Sequence, residues 1–360
     1  MRKGWEYKRL GEVCTIKAGY TPKKNELSDN GAYPYYKVAD MNTLGNDVYL
    51  DITSSYKIDA NKLFPKGAIV FPKNGAAVST NKKSILKYDS IVDLNTGVAI
   101  FPKSINEKFA YYWFIDTDFK KYVRGGALPT LDIKSLKDKP FPSMDKSIQL
   151  AIVSELDKIN ELIRLKKEQL KDFDNLAQSL FYEMFGDPVE NEKGWEEKKL
   201  GDVYKMKSGD SLSTKNFIEG DIPVYGGNGI SGYHNQYNKD GSYIIIGRVG
   251  VYCGNARIVK GQFWLTDNAF ELFYDKSIQN EVFVCKLLNL LNLRQYANAA
   301  AQPVISNNTL KHIPIPLPPL SLQRLFAQRI EQIEREKSEV QKSIQDLETL
   351  LASRMQYWFE

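Results

Sequence analysis

Cysteine and histidine are nearly missing from this 360-residue chain, which holds three of the first and two of the second. Cys14, Cys253 and Cys285 are odd in number and never approach C-x-x-C spacing, which excludes a redox pair or a disulfide framework and fits reduced, structural thiols. His234 and His312 alone cannot furnish a zinc site, so no metal is expected. No apolar run reaches 18 residues, and the start Met1-Arg2-Lys3-Gly4-Trp5 lacks an apolar signal core. The expectation is therefore a cytoplasmic protein with no membrane association. A phosphate loop is lacking too: Gly226-Gly227-Asn228-Gly229-Ile230-Ser231-Gly232 has no G-K-[ST] ending and no surrounding strand-to-helix unit. Nor is there an Asp/Asn-Pro-Pro-aromatic segment of the kind amino-methyltransferases use, or a glycine-rich cofactor loop, and no catalytic residue is assigned.

Charge of one sign is in excess only locally. Residues 1–145 carry 23 Lys and Arg against 16 Asp and Glu, whereas residues 146–186 carry 6 against 7, residues 187–319 carry 14 against 14, and residues 320–360 carry 6 against 7. A polyanionic partner is allowed for the first of these segments, and the near-neutral 146–186 and 320–360 suit packing on protein.

What the chain does have is a duplication. Gly4-Trp5-Glu6-Tyr7-Lys8-Arg9-Leu10-Gly11-Glu12-Val13 returns 190 positions later as Gly194-Trp195-Glu196-Glu197-Lys198-Lys199-Leu200-Gly201-Asp202-Val203, and the likeness runs on to Gly19 and Gly209. A period this long means two domain-sized units, not a solenoid. The later parts repeat at an offset of 174: Leu136-Lys137, Pro140-Phe141-Pro142 and Gln149 match Leu310-Lys311, Pro314-Ile315-Pro316 and Gln323.

Beyond the prolines, both units enter a strict 3-4-3-4 pattern. It runs from Gln149 through Ile152, Leu156, Ile159 and Ile163 to Met184, and from Gln323 through Phe326, Ile330, Ile333 and Lys337 to Trp358. This is an a/d seam over about five heptads, the mark of a long helix packed along another. Proline cannot lie inside a helix, so each begins only after Pro142 or Pro319, and Gly186 with Pro188 ends the first. A rod of this kind is not stable alone in water, and the other copy is the nearest partner. A globular part precedes each helix, so pseudo-twofold symmetry predicts an antiparallel pair.

Between the shared ends each unit reads as α+β with short strands. Residues 68–71, 91–92 and 98–101 in the first are expected to match 243–246, 256–259 and 270–273 in the second, with helices near 107–122 and 278–296. The boundaries are residues 1–145, 146–186, 187–319 and 320–360.

The combination of G-W-E-x-K-x-L-G-[ED]-V, Ile222 to Ile230 (I-P-V-Y-G-G-N-G-I), Ile244 to Gly250 (I-I-I-G-R-V-G), Trp264 to Phe270 (W-L-T-D-N-A-F), Pro314 to Gln323 (P-x-P-x-P-P-L-x-x-Q) and the join from Met184 to Trp195 resembles the specificity (S) subunit of type I restriction-modification enzymes. The likeness covers essentially the whole chain. It implies two target-recognition domains of mixed and antiparallel β-structure with short helices, separated by two antiparallel coiled-coil spacer helices. Each domain would read half of a bipartite, asymmetric double-stranded DNA site. The implied partners are two methyltransferase subunits and the restriction/translocase subunits, with S-adenosylmethionine and ATP on those partners and no cofactor here. Three departures bear on the conformation of loops: Leu322, not Glu, precedes Gln323, the first unit reads Pro142-Ser143-Met144-Asp145 in place of P-P-L, and it has Tyr33-Pro34-Tyr35-Tyr36-Lys37 where the second has its Y-G-G-N-G segment.

Bases are read in the major groove by Arg or Lys on guanine and Asn or Gln on adenine, while Lys, Arg, Ser, Thr and Tyr meet phosphates. Loops joining these side chains to tight turns nominate Tyr35, Lys37, Lys73, Asn74, Thr80, Asn81, Lys82, Lys83 and the Arg124-Gly125-Gly126 turn in the first domain. In the second they nominate Tyr225, Asn228, His234, Arg248, Tyr252, Asn255, Arg257 and Gln302. Arg248 corresponds to Lys73 by position. Asn228 could instead serve a left-handed turn, Lys82 and Lys83 a solvated tip, and His234 packing. Two other classes compete: a self-contained methyltransferase or nuclease, which would bind cofactor as an isolated chain, and a coiled-coil interaction scaffold without sequence-dependent DNA affinity.

Overall fold

The structure, a computed structural model, describes residues 5–53, 55–57, 62–125, 129–298 and 302–359. The chain divides into two compact units, Met1–Lys166 with Ser343–Glu360, and Lys167–Lys342. Each therefore holds one globular part, together with part of each long helix. The long helices are Lys146–Phe185 and Leu320–Phe359, 40 residues each.

Within the first unit, the start of one helix meets the end of the other, so the two segments run antiparallel. Ile152 and Leu156 share a core with Met355 and Phe359, and Glu155 receives hydrogen bonds from the guanidinium of Arg354 and from Trp358 Nε1 (3.0 Å). The second unit repeats this: Phe181 and Phe185 pack edge-on against Phe326 (5.6 and 5.4 Å between centroids), and Lys337 Nζ donates to Asp174 at 2.8 Å. Seam positions such as Ile159, Ile163, Val340 and Ile344 are buried, as their period requires.

The repeated block acquires a mechanical meaning. Strand Glu6–Arg9 pairs antiparallel with Pro140–Ser143, and Glu197–Lys199 with Pro314–Pro316. A two-stranded ribbon has only edges, so the P-x-P strands lose no ladder bonds they need. Trp5 stacks on Trp358 at 5.9 Å, and Trp195 donates from Nε1 to Phe185 O at 2.8 Å. The tryptophan that opens each unit thus rests on the end of a long helix. Gly19 and Gly209 close the block because a Cβ there would lie 2.1 Å from Asp93 O and 2.2 Å from Leu265 O.

The central sheet of the second unit runs in the order Lys205–Ser208, Ala269–Phe273, Lys239–Gly247, Ala256–Leu265, Ile222–Gly226, Gly229–His234. In the first unit the order is Thr15–Ala18, Thr96–Ile100, Ile69–Pro72, Ser84–Leu86, Tyr49–Leu50, and a separate sheet contains Tyr33–Tyr36 beside Ile91–Val92. Register corrects one expected match. Strand Ile69–Pro72 pairs with Ser84–Leu86 as Lys239–Gly247 pairs with the start of Ala256–Leu265, whereas Tyr35↔Ile91 is parallel like Val224↔Trp264 at its end. The counterpart of 256–259 is therefore 84–86, and the single ten-residue strand of the second unit is broken in two in the first. The helices are also shorter than expected. Glu107–Asp116 and Glu281–Leu290 each stop and are followed by a 3-10 turn, Phe119–Tyr122 and Leu293–Tyr296. Asn106 and Asn280 cap their starts, each side chain accepting two backbone N–H groups. Among the described residues no helix is long and apolar enough to cross a membrane.

Candidate nucleic-acid interface

A turn of the same construction occurs in each unit just after a central strand. Lys73 follows Ile69–Pro72; its N–H donates to Asn95 O (2.8 Å) and its carbonyl accepts from Leu131 N (2.9 Å), while Gly75 N donates to Pro129 O (2.8 Å). Arg248 follows Lys239–Gly247; its N–H donates to Asn268 O (2.9 Å), its carbonyl accepts from Ile305 N (3.0 Å), and Gly250 N donates to Pro303 O (2.9 Å). Isolated bridges Asn74↔Thr130 and Val249↔Val304 complete the match. Gly75 (φ 79°) and Gly250 (φ 86°) occupy the left-handed region, where a side chain would be strained. The equivalence of Lys73 and Arg248 thus rests on the same backbone hydrogen bonds in both units, which root the two side chains at the same point of the turn.

Their surroundings differ. Arg248 is half-buried, with Nη1 3.3 Å from Ser208 Oγ and 3.4 Å from Asp267 O, its guanidinium 5.5 Å from the Phe270 ring, and its Nε enclosed without a partner among the described residues. Lys73 is half-buried on its own turn. Beside it Asn74 Nδ2 donates to Asn95 Oδ1 at 3.4 Å.

In the second unit the structure gathers most nominated residues around Arg248. The hairpin tip Gly226–Gly229 sits against the turn: a Cβ on Gly227 would lie 2.6 Å from Val249 O, and one on Gly247 would lie 2.2 Å from Gly227 O. Asn228 at this tip is exposed with an ordinary negative φ; Gly229 (φ 107°) takes the special conformation. Tyr225 is half-buried at the tip's base, its ring 5.5 Å from Phe263. Arg257 reaches Gly229, Asn255 O accepts from Gly247 N, Tyr252 is exposed on the same loop, and exposed Gln302 precedes Pro303. His234 is the exception. It is 4% exposed, accepts from Ile218 N at Nδ1 (3.0 Å) and packs on Phe217 and Trp264, so it serves packing and has no face for DNA.

The first unit corrects more of the nominations. Tyr35 is 2% exposed, because it occupies the place of Val224 in an interior strand. Lys83 is also 2% exposed: its ammonium donates to Asn81 Oδ1 (2.7 Å) and Thr117 O (2.8 Å) and lies 4.1 Å from the Phe119 ring centroid. Burial pushes its pKa down to about 7. Asn81 is the left-handed residue of this loop (φ 56°), and its Oδ1 also accepts from Phe119 N, so both are structural. Thr80 is exposed with its hydroxyl on Ala77 O, Lys82 is exposed with Nζ 3.3 Å from Met41 O, and Lys37 is exposed over the Tyr35 ring. Arg124 is exposed and ion-paired to Asp132, and the Gly126 of its turn lies outside the described residues. Lys37, Lys73, Asn74, Thr80, Lys82 and Arg124 remain the accessible set.

Sequence reasoning passed over Asn95 and Asn268. Both are exposed, and each carbonyl holds the N–H of Lys73 or Arg248. The signal was available, since D-L-N-T and T-D-N-A keep the same asparagine in otherwise different turns. Among the described residues no cluster of His, Cys, Asp or Glu is arranged to hold a metal.

Comparison with known proteins gives the family. The family model described as the type I restriction modification DNA specificity domain matches residues 2–172 and again 192–349. The chain is 27% identical over 348 residues to the type I restriction enzyme EcoprrI specificity subunit of Escherichia coli, covering 89% of this chain and 86% of that one. It is 28% identical over 243 residues to the MjaIX specificity subunit of Methanocaldococcus jannaschii, covering 58% and 53%. In fold it is similar to the type I S subunit of M. genitalium (TM-score 0.59, 17% identity, 99% and 96% covered). It is also similar to a chain from a structure addressing complex assembly and conformational transition of the type I R-M system (TM-score 0.65, 19% identity, 100% and 98% covered). With its domain matched twice over most of the length, the chain belongs to the type I restriction modification DNA specificity family.

Proposed function

We propose that this chain is the DNA-recognition subunit of a type I restriction-modification complex. Each unit reads one half of a bipartite, asymmetric site, and the long helices set the distance between the halves. The observation that carries this reading is the duplicated turn: one backbone clamp, presenting Lys73 and Asn74 in one unit and Arg248 and Val249 in the other. A shared scaffold with different side chains is what two readers of different sequences require, since side chains specify bases while the backbone fixes position. Catalysis then belongs to partners, two methyltransferase subunits and the restriction/translocase subunits, which bring S-adenosylmethionine and ATP.

The test is to express the chain with its methyltransferase partner in a host lacking other such systems and to map methylated bases. A two-part motif with a fixed unspecified gap is expected. Methylation without a motif, or none at all with an assembled complex, would favour a scaffold role instead.

A further inference from the structure

Each long helix carries a glutamine at its first seam position, and neither amide is used in the seam. Gln149 and Gln323 are 1% and 0% exposed. Gln149 Oε1 accepts from Asn106 N (2.8 Å), and its Nε2 donates to Ser104 O (3.2 Å) and Met144 O (2.9 Å). Gln323 Oε1 accepts from Asn280 N (2.8 Å), and its Nε2 donates to Ile278 O (3.2 Å) and Pro318 O (2.8 Å). Every partner is displaced by 174 positions, as the glutamines themselves are. The side chains around them have diverged, Ser104 to Ile278, Met144 to Pro318 and Lys108 to Val282, yet the three bonds persist because all go to backbone.

Asn106 and Asn280 are the capping residues of the short helices Glu107–Asp116 and Glu281–Leu290. Each glutamine therefore ties three things together: the cap of a short helix inside the globular part, the loop leading into it, and the linker entering the long helix. Apolar packing between the short and long helices, Phe109 on Phe359 or Phe283 on Phe181, resists separation but is non-directional. Three hydrogen bonds made by a buried amide are directional and fix orientation, and removing that amide leaves three part-buried or buried backbone groups without their partner. We infer that Gln149 and Gln323 are positioning residues that set the angle at which each recognition domain is carried on its long helix, and so the phase in which its half-site must arrive. This inference rests on the DNA-reading function proposed above.

The two units are not equally dependent on it. The first has another directional tie, Asp157 accepting from Lys108 Nζ (2.7 Å) and Tyr112 Oη (2.6 Å). The matching positions of the second are Glu331, Val282 and Lys286, and no such bond joins them among the described residues. Loss of Gln323 should therefore loosen its domain more than loss of Gln149.

The test uses the full chain assembled with its methyltransferase partners, and duplexes carrying both native half-sites with the native spacer or one base pair more or less. One base pair shifts a half-site by about 3.4 Å along the axis, more than a rigidly held reader tolerates. For Gln323→Leu the preference for native over altered spacer should fall roughly tenfold, with base preference within each half unchanged. Gln149→Leu should lose less, and Gln323→Glu, which keeps the acceptor for Asn280 N, should lie between wild type and Gln323→Leu. Unchanged spacer preference in folded variants, or equal weakening toward all sequences and spacers, overturns the positioning role alone. A wild-type complex with no sequence preference overturns the DNA-reading function as well. If Gln323→Leu does not fold, Gln323→Glu and Gln149→Leu decide between the same outcomes.

Discussion

Replacing Lys73 or Arg248 by alanine asks whether the matched turns are the readers. The costs to folding can be worked out first. Arg248 has two long hydrogen bonds of 3.3 and 3.4 Å and one ring interaction at 5.5 Å, together worth about 1–2 kcal/mol of stability. Lys73 has no side-chain hydrogen bond among the described residues, so Lys73→Ala should leave stability unchanged within roughly 0.5 kcal/mol. Binding separates two cases. If Arg248 holds a guanine through both arms of its guanidinium, Arg248→Ala removes about 1–3 kcal/mol of discrimination, roughly 5- to 150-fold, at one base of one half-site. If Lys73 holds a phosphate, Lys73→Ala weakens binding to all sequences alike and lowers the salt slope by about one. Arg248→Lys sharpens the result, because it keeps the charge but lacks the planar fork, so base discrimination should fall while the salt dependence stays. Competition binding of the assembled complex, at two salt concentrations and with each half-site mutated in turn, resolves these outcomes. Wild-type affinity and wild-type motif for both alanine variants, with melting confirming intact folds, would refute the assignment of these turns to the interface.

Two further outcomes follow from other parts of the molecule. Lys83 has a folded pKa of about 7 against an ordinary lysine value of 10.5, burial being the first cause, with Asp118 and Asp116 opposing and Lys139 assisting. Above pH 7 the unfolded chain holds a proton that the folded one releases, so this group adds stability as pH rises from about 7 toward 10 and adds no slope below 7. Lys83→Met should cancel that rise, at most about 1.4 kcal/mol per pH unit, in urea titrations run in parallel on both proteins. Inserting seven residues into both long helices, after Lys166 and after Lys342, adds about 10.5 Å to each and should lengthen the methylated motif's gap by about three base pairs with both halves unchanged; an unchanged gap with altered halves would refute the spacer role.

The long helices, the tandem units and the Lys73–Arg248 equivalence were legible because each rests on local pattern: a seven-residue period, a repeated block, glycines at matched turns. What escaped depends on groups distant in sequence. Lys83 looks like one of a pair of surface lysines with Lys82, and only the arrival of Thr117 and Phe119 buries it. Tyr35 resembles a loop aromatic until its strand is flanked by Ile91–Val92. The strand counterparts were mismatched because one continuous strand became two short ones, which no periodicity over two or three residues can reveal. Gln149 and Gln323 were visible as a recurrence, but their role needed Asn106 and Asn280, 43 residues before each.

Because the first compact unit includes Ser343–Glu360, its assembly is out of step with its synthesis. Met355 and Phe359 lie in the core built on Phe109 and Leu156, and Trp358 covers Trp5. During translation this unit must wait, with that apolar surface bare, until the whole of the second unit has left the ribosome. The second unit, drawn wholly from Lys167–Lys342, can close first. A premature stop that spares every residue up to Lys342 would therefore injure the part of the protein made earliest.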